Sequence, residues 1–227
     1  MCPKERNPGI ELLVRSTTDH VVAVDLGLGR DQFTLVAFYF PPSIDQSTLV
    51  RELAGVFDSL QSRSILLAGD ANVRSPLWGP TIPDHRHHDD GGPFVEFIFV
   101  RTLHVWNDPA SLPTFETERA QGWIDVTLSS PSLFHRRSHW TVHRTSMSDH
   151  NFITFSLVGS HAEDALPSPP RFTKRRLLRF ARAAEAYFKD NAHLLHFKEA
   201  VGGLDYWLGE LSSGGFCILW HWAALPT

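Results

Sequence analysis

Cysteine is nearly absent: Cys2 and Cys217, the two in the chain, stand near opposite ends and outside any C-x-x-C spacing. That excludes a disulfide framework and a zinc knuckle, and it fits a reducing, intracellular setting. No apolar run approaches the roughly 20 residues that a membrane span requires. Met1 is not followed by a charged and then hydrophobic signal pattern, so a soluble protein with no membrane partner is expected. An excess of positive charge is missing as well. Against 21 Lys and Arg stand 25 Asp and Glu, for a net charge of −4, so a nucleic-acid partner would have to be met by local patches. No internal repeat is evident.

What the chain does have is the material of a globular core. With 42% hydrophobic and 20% charged residues wholesale disorder is not expected, and 227 residues suffice for one main domain with an appendage. Ile10 to Val14, Val21 to Leu26 and Phe33 to Phe40 read as strands of an antiparallel meander, with a turn over Gly27 to Asp31. Pro41-Pro42 stops the third. Leu49, Leu53, Phe57 and Leu60 then share one helical face between Ser47 and Leu60, and Ser64 to Ala68 reads as a buried strand. After Gly91-Gly92-Pro93 a second helix is predicted to about Leu103, carrying Phe94, Phe97 and Ile98. Val105 to Asn107, Pro113 to Phe115, Trp123 to Ser129, Trp140 to His143 and Phe152 to Val158 read as further strands. The compact domain is expected to end near Gly159. Residues 161–170, with Leu166-Pro167-Ser168-Pro169-Pro170, read as a stiff linker. The tail 171–227 opens on six basic residues between Arg171 and Arg182, where Leu177, Phe180, Ala184 and Tyr187 share a helical face. Its bland reading is an amphipathic helix with a solvated basic side. From Gly202 to Thr227 glycines and Trp207, Trp220 and Trp222 follow no period.

Three stretches hold candidate chemistry. The first is the apolar strand ending in Gly69-Asp70-Ala71-Asn72, since the ends of strands in α/β sheets display catalytic groups. Asp70 there can act on a water or a leaving oxygen, and Asn72, two residues on, faces the same side. The competing reading is a turn cap, because Asp and Asn after a strand commonly bond local backbone. The second is Ser148-Asp149-His150, where a His can act as electrophile or acid at a phosphate and a carboxylate can hold a divalent cation. The third is Asp125, inside the apolar run Ile124 to Leu128. A buried carboxylate requires a partner, and His150 bonded to it would be fixed in tautomer and favoured in its protonated form; an edge carboxylate facing water is the alternative. His85, His87 and His88, among Asp84, Asp89 and Asp90, read as a solvated loop rather than a metal site.

Taken in order, Tyr39, Gly69-Asp70-Ala71-Asn72, Asp125 and Ser148-Asp149-His150 resemble the endonuclease/exonuclease/phosphatase superfamily, which includes the DNase I-like and apurinic endonucleases. Its pattern is a Tyr after a strand, then G-D-x-N, an Asp-bearing strand, and S-D-H. Tyr39-Phe40-Pro41-Pro42, Ser75-Pro76-Leu77-Trp78-Gly79, Pro113-Thr114-Phe115 and Trp123-Ile124-Asp125-Val126-Thr127-Leu128 are similar to the endonuclease domains of R1-like and related non-LTR retrotransposons, over about residues 10 to 160. The resemblance implies an α+β fold, a DNase I-like four-layer α/β sandwich over residues 1–160. It implies Mg²⁺-dependent nicking of DNA, a nuclear setting, and a polyprotein that leads on to reverse transcriptase. By motif position Asp70 would act on the water or leaving group and Asn72 would orient the nucleophile. Tyr39, Asn72 and His150 would contact the phosphate, with His150 held by Asp125, and Asp149 would lie at the metal.

The family pattern begins earlier, with a strand carrying an Asn and another carrying a metal-binding Glu. Glu5 and Glu11 do not follow an apolar strand and match neither. The expectation is therefore an N-terminally truncated sandwich, lacking its first strands, with an exposed sheet edge and impaired or no activity. Two alternatives follow. One is a non-catalytic DNA-binding relic or interaction module, in which Arg136, Arg137, Arg144 and the run Arg171 to Arg182 meet phosphates. The other is a sibling phosphodiesterase acting on inositol phosphates or sphingolipids, less well matched by the Trp78-Gly79 segment and the Trp123 to Leu128 strand.

Overall fold

A computed structural model describes residues 10–28, 31–80, 91–145, 148–158, 204–208 and 215–222. The chain opens with the meander: β1 (Ile10–Thr17), β2 (Val21–Leu28) and β3 (Asp31–Tyr39) pair antiparallel in turn. α1 (Gln46–Ser59) crosses over to β4 (Ile65–Asp70), which lies parallel to β3. The crossover starts where Pro41-Pro42 denies the strand its ladder donors. Asp45 then caps the helix, its carboxylate accepting from the Thr48 backbone N–H at 3.1 Å. Leu49, Val50, Leu53 and Val56 form the buried stripe of α1.

α2 (Gly92–Val100) has Pro93 in its first turn and buries Phe94, Phe97 and Ile98. It stops three residues short of the predicted Leu103. Thr102 takes a positive φ of 53° and the Leu103 amide reaches back to the Ile98 carbonyl, a left-handed closure of the last turn. β5 (His104–Val105), the ribbon of β6 (Phe115–Glu116) and β7 (Gln121–Gly122), and β8 (Asp125–Ser129) follow. A one-turn helix α3 (Pro131–Phe134) leads into β9 (Arg137–His143) and β10 (Phe152–Val158). In the stretch that showed no period stand β11 (Leu204–Leu208) and β12 (Gly215–Trp222).

The strands form a six-stranded sheet in the order β1-β2-β3-β4-β8-β5 and a four-stranded sheet in the order β11-β12-β10-β9. β12 thus lies antiparallel against β10 and prolongs that sheet from the far end of the chain. Central strands covered on both faces read as unbroken apolar runs, as in β3 and β4. One side of the six-stranded sheet meets the helices through Val36, Phe38, Leu67, Leu49, Leu53 and Phe94. The other meets the four-stranded sheet through Leu35, Ala37, Leu66, Ile153, Phe155 and Leu157. This is the α+β sandwich. Each fully buried Leu or Phe contributes about 1.5–3 kcal/mol of transfer free energy, so these two layers fix the strand ends that carry the polar groups. The edge strand β1 leaves Leu12, Leu13 and Val14 more than half exposed.

The linker 161–170, the basic run Arg171 to Arg182 and the His85 to His88 cluster lie outside the described residues. Among the described residues no helix is long and apolar enough to cross a membrane.

Candidate active site

Three strand ends converge. In the ladders Tyr39 stands opposite Asp70 and Asp70 opposite Asp125, so the last residues of β3 and β4 and the first of β8 lie side by side. Gly69 permits this closeness: a Cβ there would sit 2.1 Å from the Phe38 carbonyl oxygen and 2.7 Å from its ring. His150 arrives from the other sheet, immediately before β10, and is held at an isolated bridge to Phe115.

Asp70, Asp125 and His150 are all buried, at 1%, 1% and 6% exposure, so each must answer for its charge within the protein. Nδ1 of His150 lies 3.0 and 3.2 Å from the two carboxylate oxygens of Asp125. Its Nε2 faces Asp70 Oδ2 at 3.9 Å, and the Phe115 ring meets the imidazole at a centroid distance of 5.2 Å and 68°. Burial works to lower the imidazole pKa, but the charge and hydrogen bond of Asp125, then Asp70 and Asp149, outweigh it and carry His150 up to about 9. The ring is therefore an imidazolium at neutral pH, with Nδ1–H given to Asp125 and Nε2–H toward Asp70.

Asp70 is pushed well above the ordinary carboxylate range, by burial first and then by the Asp125 carboxylate; His150 and the two bonds from Asn72 pull the other way. Those bonds come from the Asn72 backbone N–H to Oδ1 and from its Nδ2 to Oδ2, both at 2.8 Å. Asn72 adopts a left-handed φ of 48° to make them. Its Nδ2 also donates to the Phe40 carbonyl at 3.1 Å, so the atom Asn72 can offer to a ligand is Oδ1. Tyr39 is half-buried, and burial followed by the charge of Asp70 raises its hydroxyl pKa. Asp149 is half-buried beside this group, its Oδ1 accepting from Ser148 Oγ at 3.2 Å. Of the residues singled out in the sequence, Asp70, Asn72, Asp125 and His150 touch one another directly; Tyr39 and Asp149 flank them.

Ligand atoms of Asp70, Asp125 and His150 lie within 4.8 Å of one another, a group that could hold a metal ion. A protonated imidazole is no ligand, so the donor set that fits a cation is the oxygen set, which suits a hard divalent ion. A cation beside Asp70 would also relieve the burial and repulsion that raise its pKa. Asp149 is not a member of that group.

Two neighbours of Asp125 were given no role from the sequence, although Thr114 stands in the Pro113-Thr114-Phe115 segment. Thr114, fully buried, accepts with its hydroxyl from the backbone N–H groups of Ile124 and Asp125, each at 3.1 Å. Asn107 bonds the Asp125 carbonyl and the Thr127 amide. The Pro113-Thr114-Phe115 segment was the available signal for Thr114; an Asn at the end of a short strand has none. The three arginines named as phosphate contacts are engaged within the protein. Arg136 binds Asp31 and the Val158 carbonyl, Arg137 lies over the Phe134 ring and bonds the Trp106 carbonyl, and Arg144 is paired with Glu116.

A family model described as endonuclease-reverse transcriptase matches residues 33–154, more than half of the chain and the whole stretch from Tyr39 to His150. Among solved structures, the chain is similar to the endonuclease domain of TRAS1, a telomere-specific non-LTR retrotransposon. The two share 27% identity over 65% of this chain and 67% of that one, at a TM-score of 0.57. It also resembles the 3′ phosphatase NExo from Neisseria, solved with a product DNA hairpin. There the identity is 14%, with 63% and 69% of the chains covered and a TM-score of 0.49. No curated protein matches the chain.

Proposed function

Because the chain belongs to the endonuclease-reverse transcriptase family, we propose that it hydrolyses phosphodiester bonds in DNA, nicking one strand as the endonuclease part of a non-LTR retroelement. The observation that supports this most is the joining of Asp70–Asn72 and Asp125–His150 in one buried group. It pairs a carboxylate with a raised pKa and an imidazolium, as the two halves of a hydrolytic step require.

The step divides as follows. Asp70 takes a proton from the attacking water, a task suited to a carboxylate whose burial has raised its pKa. Asn72, with both Nδ2 protons committed, accepts a hydrogen bond from the water's other O–H at Oδ1 and so aims its oxygen at phosphorus. The water oxygen bonds to phosphorus as the bond to the 3′ oxygen breaks, and that oxygen takes a proton from solvent to leave a 3′-hydroxyl primer end. Nε2–H of His150 and the Tyr39 hydroxyl donate to the phosphoryl oxygens as their negative charge grows. Asp125 keeps the imidazole protonated and oriented while that happens. Mg²⁺, with Asp149 at its site, would act as a Lewis acid at the phosphate and neutralise developing charge. A nuclear setting and a covalent link to a reverse transcriptase belong to the same reading.

The substrate class is tested by offering the purified protein supercoiled DNA and, in parallel, an inositol polyphosphate and sphingomyelin, each with Mg²⁺. Conversion of the plasmid to open circles with no phosphate or phosphocholine released supports the reading. Turnover of the small substrates alone would replace it with the sibling phosphodiesterase. Retention of plasmid without nicking would leave a binding module.

A further inference from the structure

The hydrogen bonds around β8 point to a residue outside every motif. β5 pairs with β8 at His104–Ser129 and Val105–Leu128, and the Trp106 amide continues the ladder to the Thr127 carbonyl at 2.9 Å. There the main chain turns away toward Asp108 and Pro109. The next bonds that β8 requires on this edge, from the Asp125 carbonyl and the Thr127 amide, are made by one side chain. Asn107 Nδ2 donates to the Asp125 carbonyl at 2.8 Å and Asn107 Oδ1 accepts from the Thr127 amide at 2.8 Å. A carboxamide has the shape of a peptide group, and these two bonds are the ones the Trp106 carbonyl and the Asp108 amide would supply if β5 ran on antiparallel to β8. Turning the amide over would set donor against donor and acceptor against acceptor, so its orientation is fixed by chemistry.

The carboxylate that orients His150 therefore hangs from a peptide held on all sides. Its carbonyl is bound by Asn107, its amide by the Thr114 hydroxyl at 3.1 Å, and the preceding carbonyl, of Ile124, by the Ala71 amide at 2.9 Å. Asn107 is 6% exposed and Thr114 fully buried, so neither bond competes with bulk water. We propose that Asn107 is a positioning residue for the catalytic pair: its side chain replaces the missing strand beside β8 and, together with Thr114, fixes the Asp125 carboxylate against His150 Nδ1. That Asp125 and His150 serve hydrolysis rests on the function proposed above; that Asn107 holds them together does not.

An Nδ1–H bonded to a buried carboxylate gives a far-downfield proton resonance, which reports the Asp125–His150 bond whether or not the protein turns over. In the full chain that resonance is expected, and Asn107→Ala should broaden or shift it upfield. Thr114→Val should act in the same direction and Thr114→Ser should restore it. For nicking, both disruptive variants should lose kcat by about tenfold or more, as removal of orienting groups does elsewhere, with KM for the plasmid within about twofold. An unchanged resonance in a folded Asn107→Ala protein, with only its melting temperature lowered, would overturn the proposal. Should Asn107→Ala not fold, the Thr114 series decides: failure of Ser to restore what Val removes would overturn it too. A parent that shows the expected resonance changes but nicks no DNA would refute the proposed function and leave the positioning role standing.

Discussion

Replacing Asp125 by Asn changes little in shape and removes the charge that sets the state of His150. The imidazole stands at about 9 against an ordinary value of 6.5. At about 1.4 kcal/mol per unit, that difference is worth on the order of 3 kcal/mol in favour of the imidazolium. In Asp125→Asn burial still pulls the ring down and only Asp70 and Asp149 oppose it, so the pKa should fall to 6.5 or below. At pH 7.5 a group at about 9 is about 97% protonated and one at 6.5 about 9%, so protonation alone should cost about tenfold in rate, before any loss from a misdirected ring. The same shift governs stability. A folded-state pKa above the unfolded value means that the contribution of His150 is complete below about pH 6.5 and drains away as pH rises toward about 9. The parent should accordingly lose stability across that window, and Asp125→Asn should show a flatter profile. The assay is a pH titration of the ¹⁵N-labelled imidazole, beside urea unfolding at pH 6, 7.5 and 9. A parent His150 titrating near 6.5, or a variant titrating unchanged near 9, would refute the reasoning.

Other predictions follow from the same geometry. Asp70→Asn should abolish nicking, and because the raised pKa of Asp70 makes the parent less stable as pH climbs above about 4, unfolding free energy should depend on pH less steeply in this variant. Gly69→Ala forces a Cβ into the backbone and ring of Phe38; urea unfolding should show a loss of about 1–3 kcal/mol or more. Asp149→Ala should raise the Mg²⁺ concentration needed for half-maximal nicking while leaving the fold, read by circular dichroism, intact.

Elements with a strong local pattern were legible in advance: the meander, α1 with its apolar stripe, and the strand that ends in Asp70 all stand where periodicity and Pro41-Pro42 put them. The C-terminal strands were not. β12 mixes small, aromatic and aliphatic residues without clean alternation, and it is its pairing with β10 and β11 that makes it a strand. The end of α2 was missed because a left-handed Thr102, not a Gly, closes it. At the site, Asp125 announced itself as a carboxylate in an apolar run, and the structure sets the His150 ring against it. Asn107 gave no sign, since its part depends on where the main chain leaves the sheet. Arg136, Arg137 and Arg144 show what local charge does not reveal. Basic residues suggest phosphate, but each of these spends its guanidinium on a carboxylate, a carbonyl or a ring of its own protein.

The most direct test is nicking of supercoiled plasmid with Mg²⁺ by the full chain, beside Asp70→Ala, His150→Ala and an EDTA-treated sample. Open circles are expected from the parent alone. Equal nicking by parent and variants, or none from a parent shown to be folded, would contradict it.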